Sequence, residues 1–338
     1  MTIDSSDDNL LQKIVRFSRL PWYWFTLIFT LILIVFLILA AFLEGAIDSF
    51  GDLDFWRQYI GVPALLAYIL VIYPYMWRLS ESATDALRKL LCDDEIEKGD
   101  VNTSVSRLRW EWTAIAIGAA FWILVQRPWG WDWGADTRWL NLYALVTFTL
   151  LFALLGWLIY YAITESRYLD RLSRRKLKLD IFDTSALIPV ARSSLGTSFA
   201  FIGGISLSLV FQTADSLLVW SNITIYAVLV LATLFIFFFS MWSTHSTMAR
   251  TKHNELALVR ENLENAVRRL KDTSAAENSG DLNSLHSTVA AWGTYERLVR
   301  EAREWPFNAN ILRRLVASTM VPAVVYLLKI FLGVKIFG

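Results

Sequence analysis

Residues Trp22 to Leu43 read WYWFTLIFTLILIVFLILAAFL, and this stretch decides the fold. Its 22 residues include no Asp, Glu, Lys, Arg or His. Wound as a helix at about 1.5 Å per residue, it is long enough for a hydrocarbon core about 30 Å thick. Pro21 ends any helix before it, and Trp22, Tyr23 and Trp24 put amphipathic rings where a membrane interface would lie.

The whole chain agrees. Of its 338 residues 55% are hydrophobic and 16 are Trp, while the 19% that are charged gather between apolar runs. Lipid is therefore the solvent for the runs. Basic residues are interleaved with Asp and Glu and build no continuous stripe, which excludes a nucleic-acid partner. Cys92 stands alone, able to form neither an intrachain disulfide nor a CxxC metal site, and reads as a passive thiol.

Toward the N-terminus, segment 1–21 turns from acidic to basic, and the apolar run after it is too long for the core of a cleaved signal peptide. Leu10, Leu11, Ile14, Val15 and Phe17, with Lys13, Arg16 and Arg19 between them, fit a short helix on the membrane surface; a frayed tail is the alternative.

Toward the C-terminus five or six further spans follow. The second runs from Tyr59 to Trp77, with a bend expected at Pro63 and a helix boundary at Pro74. Trp110 to Val125 is a short third, and WLNLYALVTFTLLFALLGWLIYYAI a long fourth. The fifth contains GTSFAFIGGISLS, from Gly196 to Ser208, and the sixth, ITIYAVLVLATLFIFFFSMW, follows closely enough to make a tight hairpin, with Asp215 in the turn or ending the fifth helix. LVASTMVPAVVYLLKIFLGVKIFG reads as a seventh span, or as a re-entrant or surface helix, because Lys329 and Lys335 fall on the side where positive charge is disfavoured. Lysine and arginine in the loops set orientation. They place the N-terminus, loops 78–109 and 163–195 and the stretch 244–311 in the cytosol, and the short aromatic and acidic loops outside. The reading is thus an all-α polytopic transmembrane helix bundle of six or seven spans, 22–243 plus 312–338, in a membrane read as a bacterial inner membrane. Asn222-Ile-Thr is formally a glycosylation acceptor.

Segment 244–311 carries two heptad-like stripes. Leu256, Val259, Leu263, Ala266 and Leu270 recur at steps of three and four, as do Leu282, Leu285, Val289, Trp292, Tyr295 and Val299. With TSAAENSGD between them they predict a cytosolic antiparallel helical hairpin. Two helices bury little alone, so a further contact is expected, either with segment 78–109 or with another subunit. Leu256, Val259, Leu263, Leu270, Trp292 and Tyr295 are the candidate interaction surface.

Catalytic chemistry is missing from the pattern. His245, His253 and His286 lie outside the spans and form no HExxH, no serine has a His or Lys partner at bilayer depth, and no phosphate-binding glycine loop occurs. Neither a cofactor nor a metal is expected. Asp93, Asp94, Glu95 and Glu97 lack calcium-loop spacing and read as a solvated turn. Spans nearly free of ionisable residues disfavour a proton-driven carrier, and no inverted repeat is visible.

One pattern remains. Gly196, Ala200, Gly204 and Ser208 share a helix face, a groove for close approach of another helix, with the sixth span as its natural partner. A sharper reading makes this face, with Ser206 and Gln212, the lining of an oligomeric pore, and Gly203-Gly204 a hinge. The expected function is accordingly a non-enzymatic channel or permeability effector, a homo-oligomer gated by the hairpin. The alternative is a scaffold or sensor that docks a cytosolic protein and conducts nothing.

Overall fold

The computed structural model describes residues 10–18, 20–91, 104–131, 133–134, 137–175, 177, 182, 187–212, 219–275, 279–302, 313, 317, 320–322 and 324–325. They form eight α-helices: α1 (Leu10–Ser18), α2 (Trp22–Leu43), α3 (Leu53–Leu90), α4 (Ser104–Gln126), α5 (Arg138–Ser173), α6 (Ile188–Phe211), α7 (Trp220–Ala275) and α8 (Ser279–Glu301). The protein is all-α and integral to the membrane. Among the described residues five helical stretches are long and apolar enough to cross one: Trp22–Leu43, Tyr59–Leu90, Arg138–Ser173, Ile188–Phe211 and Trp220–Phe238. The expected third span forms helix α4 but is not among the five, because Arg109 and Glu111 cut into its apolar run at one end and Arg127 at the other. Cys92, the acidic cluster 93–97, Asp215, Lys329 and Lys335 lie outside the described residues, as does most of the expected seventh span; of that span Val325 packs beside Ile205 and Leu209.

The helix boundary expected at Pro74 is absent, since α3 runs unbroken through Pro63 and Pro74. A proline lacks the N–H that would bond the carbonyl four residues back, leaving Leu70 and Tyr59 without their helical donors. In lipid no water replaces them. Instead the Trp22 indole N–H donates to the Leu70 carbonyl at 2.5 Å, and the Tyr143 hydroxyl reaches the Tyr59 carbonyl at a longer 3.5 Å. Each proline is thus tolerated through an aromatic donor from another helix.

Successive helices alternate in direction. The end where α3, α5 and α7 begin is called here the upper end. There Glu44, at the close of α2, accepts the Leu140 N–H at 2.7 Å, placing a carboxylate at the N-terminus of α5. Between α4 and α5 the backbones nearly touch: a Cβ added at Gly156 would lie 2.6 Å from the Ala114 carbonyl and 3.0 Å from the Gly118 Cα, and one at Gly118 would strike the Phe152 carbonyl. Lipid is as apolar as leucine, so such small-residue crossings gain their energy from dispersion at short range. In the middle of the bundle Tyr73, Trp157 and Tyr161 stack with ring centroids 5.0 to 5.9 Å apart, and Trp22 closes on Tyr73 at 5.4 Å. Leu11 and Val15 of α1 are buried in the same core.

Below, the helices outrun the bilayer. The 56 residues of α7 span about 84 Å at 1.5 Å each, nearly three times the hydrocarbon thickness. No break separates the sixth span from the first arm of the expected hairpin: both lie on the one helix α7, and nothing between Phe238 and His253 has the glycine or proline that would interrupt it. Beside it the lower ends of α3, α5 and α6 close a second core of Ala83, Leu87, Leu169, Leu172, Val190 and Met248. Helix α8 returns along α7 in the opposite sense. Lys252 Nζ donates to the Ala302 carbonyl at 2.9 Å, the Tyr295 hydroxyl to Glu255 at 2.9 Å, and Arg260 pairs with Glu296 at 3.3 Å.

Candidate functional site

Above the Tyr73–Trp157–Tyr161 stack the same helices part around a cavity of about 810 Å³. That is within the roughly 300 to 1,000 Å³ of small-molecule sites. Helices α3 to α7 all contribute to its wall, and the lining is zoned by depth. The carboxamides Gln126, Asn141, Gln212 and Asn222 come from the upper ends of four different helices, α4 to α7, so alternation of the chain brings them to one rim. Gln126 donates to Asn222 across the rim at 3.2 Å. Ile69, Leu155, Leu158 and Phe201 make the depths apolar. Ile69 is one turn from Tyr73 and Leu158 is next to Trp157, so the aromatic stack closes the floor.

Several hydroxyls in the wall bond within the protein. The Tyr68 hydroxyl donates to the Ala200 carbonyl at 2.7 Å, the Thr147 hydroxyl to the Tyr143 carbonyl at 2.8 Å, and Ser208 shares a 2.8 Å hydrogen bond with Tyr226. Among the described residues no Asp, Glu, Lys, Arg or His lines the cavity. Among the described residues no group of three or more His, Cys, Asp or Glu side chains is placed to hold a metal ion.

The small-residue stripe divides between packing and lining. Gly196 meets Leu79 and Tyr75, and Gly203 and Gly204 meet Tyr68, all on α3. The glycines of the stripe therefore pack against α3, whose large side chains fill what they leave open, while Ser208 meets the sixth span. Contact with α7 is made at Ser208, which shares a hydrogen bond with Tyr226, and beside it Ile205 and Leu209 pack against Tyr226, Leu229 and Val230. Gly203 and Gly204 lie within an unbroken helix, where close approach of the Tyr68 ring accounts for both. Ala200, Gly204, Ser208 and Gln212, at strict four-residue spacing, face the cavity, whereas Ser206 bonds its own helix through the Ile202 carbonyl at 2.8 Å.

Of the six apolar residues expected on the hairpin surface, Val259 is buried, while Leu256, Leu263, Leu270, Trp292 and Tyr295 are half-buried. Tyr295 also meets Phe182, from the loop after α5, at 5.9 Å between ring centroids. This contact is with loop 163–195, a partner not among the two that the sequence pattern suggested for this segment. Sequence reasoning missed the rim of Gln126, Asn141 and Asn222 and the aromatic wall of Trp122 and Trp131. One signal was present: each rim carboxamide sits in the first or last turn of an apolar run, at the end that the loop charges assign to one side. No protein-family model, curated protein or solved structure matches this chain.

Proposed function

We propose that the protein is a non-enzymatic membrane sensor or scaffold, in which occupancy of the upper cavity is coupled to the α7–α8 clasp and so to a protein docked on it. One observation carries this reading: α7 is a single helix whose first turns, with Asn222, Ile225 and Tyr226, wall the cavity and whose last turns form the clasp. A displacement at one end of an unbroken rod reaches the other without a hinge. The loop charges put the clasp and the N-terminus in the cytosol and the cavity toward the outside, in a bacterial inner membrane. Hydrogen–deuterium exchange in nanodiscs tests the coupling. Filling the cavity with Ala144→Phe is expected to change protection in residues 252–275 and 279–301 while the protein stays monodisperse; unchanged protection there would refute the coupling.

A hairpin-gated channel, as a homo-oligomer, is the second reading, favoured by the hydrogen-bonding rim around Ser208 and Gln212 standing over an aromatic constriction. It predicts that Trp157→Ala opens ion flux in proteoliposomes. Absence of flux from the folded variant would count against it.

A further inference from the structure

We infer that a groove at the lower membrane interface, between α3 and the first turn of α6, seats the headgroup of a zwitterionic phospholipid with a primary ammonium, a phosphatidylethanolamine. The groove lies at the opposite end of the bundle from the cavity, so this assignment stands apart from the sensing reading.

The groove holds about 540 Å³. Its α3 wall carries Arg78, Glu81, Ser82, Asp85 and Lys89, and Pro189 of α6 lines it as well. Helix α3 can present these side chains because Ala83 and Leu87, on its opposite face, are buried in the second core. The polar side chains of the wall are exposed. Trp77, an exposed ring of the kind that membrane interfaces take, directly precedes Arg78. Arg78 therefore stands at headgroup level, and the groove descends from it.

The order of charge along α3 selects the ligand. At about 1.5 Å per residue, Glu81 lies about 4.5 Å and Asp85 about 10.5 Å below Arg78. In a phosphatidylethanolamine the phosphate adjoins the glycerol, and the ammonium follows after a two-carbon link, further from the hydrocarbon. A headgroup at the leaflet edge thus meets the cation of the wall with its phosphate and the two carboxylates with its ammonium. The guanidinium fork of Arg78 suits a phosphate, because it can bond two of its oxygens at once. Ser82, one turn below Arg78, adds a hydroxyl donor. Glu81 and Asp85 are like charges at i,i+4 on one helix face, a spacing that destabilises a helix until a cation comes between them. A primary ammonium carries three N–H donors and can bond both carboxylates, whereas the trimethylammonium of phosphatidylcholine has none to give. Lys89, about 16.5 Å below Arg78, lies beyond a headgroup whose phosphate is held there.

The test uses the full chain in detergent, titrated with an equimolar mixture of dioleoyl phosphatidylethanolamine and dioleoyl phosphatidylcholine and read by native mass spectrometry. These lipids differ only in the ammonium, so their adduct ratio reports its recognition. The ethanolamine lipid is expected to be favoured about threefold, the scale of one or two exposed charge pairs. Glu81→Gln with Asp85→Asn should bring the ratio to one, Arg78→Gln should weaken both lipids alike, and Lys89→Gln should leave the ratio unchanged. A ratio of one in the unmodified chain would overturn the inference, as would a preference that survives the double substitution. Loss of preference in Lys89→Gln as large as in the double variant would also overturn it, by showing a response to net charge and not to the groove. A second measurement needs no variant: a phosphatidylethanolamine with a diazirine beside its glycerol, irradiated in nanodiscs, should label α3 between Arg78 and Leu90, and labelling confined to other helices would exclude the site.

Discussion

The two halves of the bundle are built from the same helices and reach opposite ends. At mid-height and below, α3 and α5 hold Tyr73, Trp157 and Tyr161 in mutual contact, with no room left for a guest. One to three turns higher the same pair of helices borders an open space of about 810 Å³. Hydrophobicity does not distinguish them, for both are apolar. Geometry does: glycines fix close approach at chosen crossings, Gly156 on Gly118 and Gly196 under Leu79, and large rings at Trp122, Tyr143 and Phe148 hold the helices apart where no second residue fills the gap. A membrane bundle is stabilised by local fit, so it can carry an empty region wherever the fit elsewhere suffices.

This contrast is sharpest at the aromatic floor. Trp157→Ala deletes a side chain buried among two tyrosines, and the expected loss is about 4 kcal/mol, read as a lower thermal unfolding midpoint in detergent. A loss under about 1 kcal/mol would mean that the lower half is no better packed than the upper. Next comes Gly156→Leu, which must push apart backbone atoms of Ala114 and Gly118; about 3 kcal/mol or loss of monodisperse protein is expected. The same enlargement in the cavity wall, Ala144→Leu, is expected to shift stability by no more than about 0.5 kcal/mol in either direction. Equal costs at Gly156 and Ala144 would break the comparison, because they would show the upper space to be filled.

A proline pair offers an intermediate test. Trp22→Phe keeps an aromatic ring and removes the indole donor to the Leu70 carbonyl beside Pro74; about 1 to 2 kcal/mol is expected. Restoring the backbone donor with Pro74→Ala in the same chain should recover most of that loss, and failure to recover it would sever the link between the two residues.

The smallest effect belongs to the exposed clasp. Arg300 at 2.7 Å and Arg260 at 3.3 Å hold the Glu296 carboxyl below its ordinary range. A lowered folded-state value means that the contribution is present at neutral pH and lost only as pH falls through that value, beneath the usual carboxyl range of about 4. Distances between spin labels at Glu264 and Ala290, in a Cys92→Ser background, should therefore hold steady from neutral pH to about 5 and broaden only below it. Broadening already near pH 6 would break the link to Glu296.

Much of the fold was legible because its signals are local. The charge-free run from Trp22 to Leu43 needs only a bilayer thickness to be read as a span, and the heptad steps from Leu256 to Leu270 need only helical periodicity. Pro74 shows where locality fails. Its consequence for α3 depends on whether a donor reaches the Leu70 carbonyl, and that donor lies 48 residues away in sequence. The stripe from Gly196 to Ser208 was visible as a groove, yet its partner depended on which helix places Tyr68, Tyr75 and Leu79 opposite it. The rim was hidden for the same reason, since four carboxamides on four helices become one site only through alternation of the chain.

The sequence by itself therefore determined the solvent, the helical class and the stretches able to cross a bilayer, because each follows from periodicity and the transfer energy of side chains over a short window. The tertiary structure alone decided that α3 continues through its prolines, that α7 is one helix from cavity to clasp, and that the bundle is closed below and parts around a cavity above. Those outcomes rest on side-chain shape and hydrogen-bond partners meeting across helices, and short-range packing between distant residues leaves no mark on any one segment.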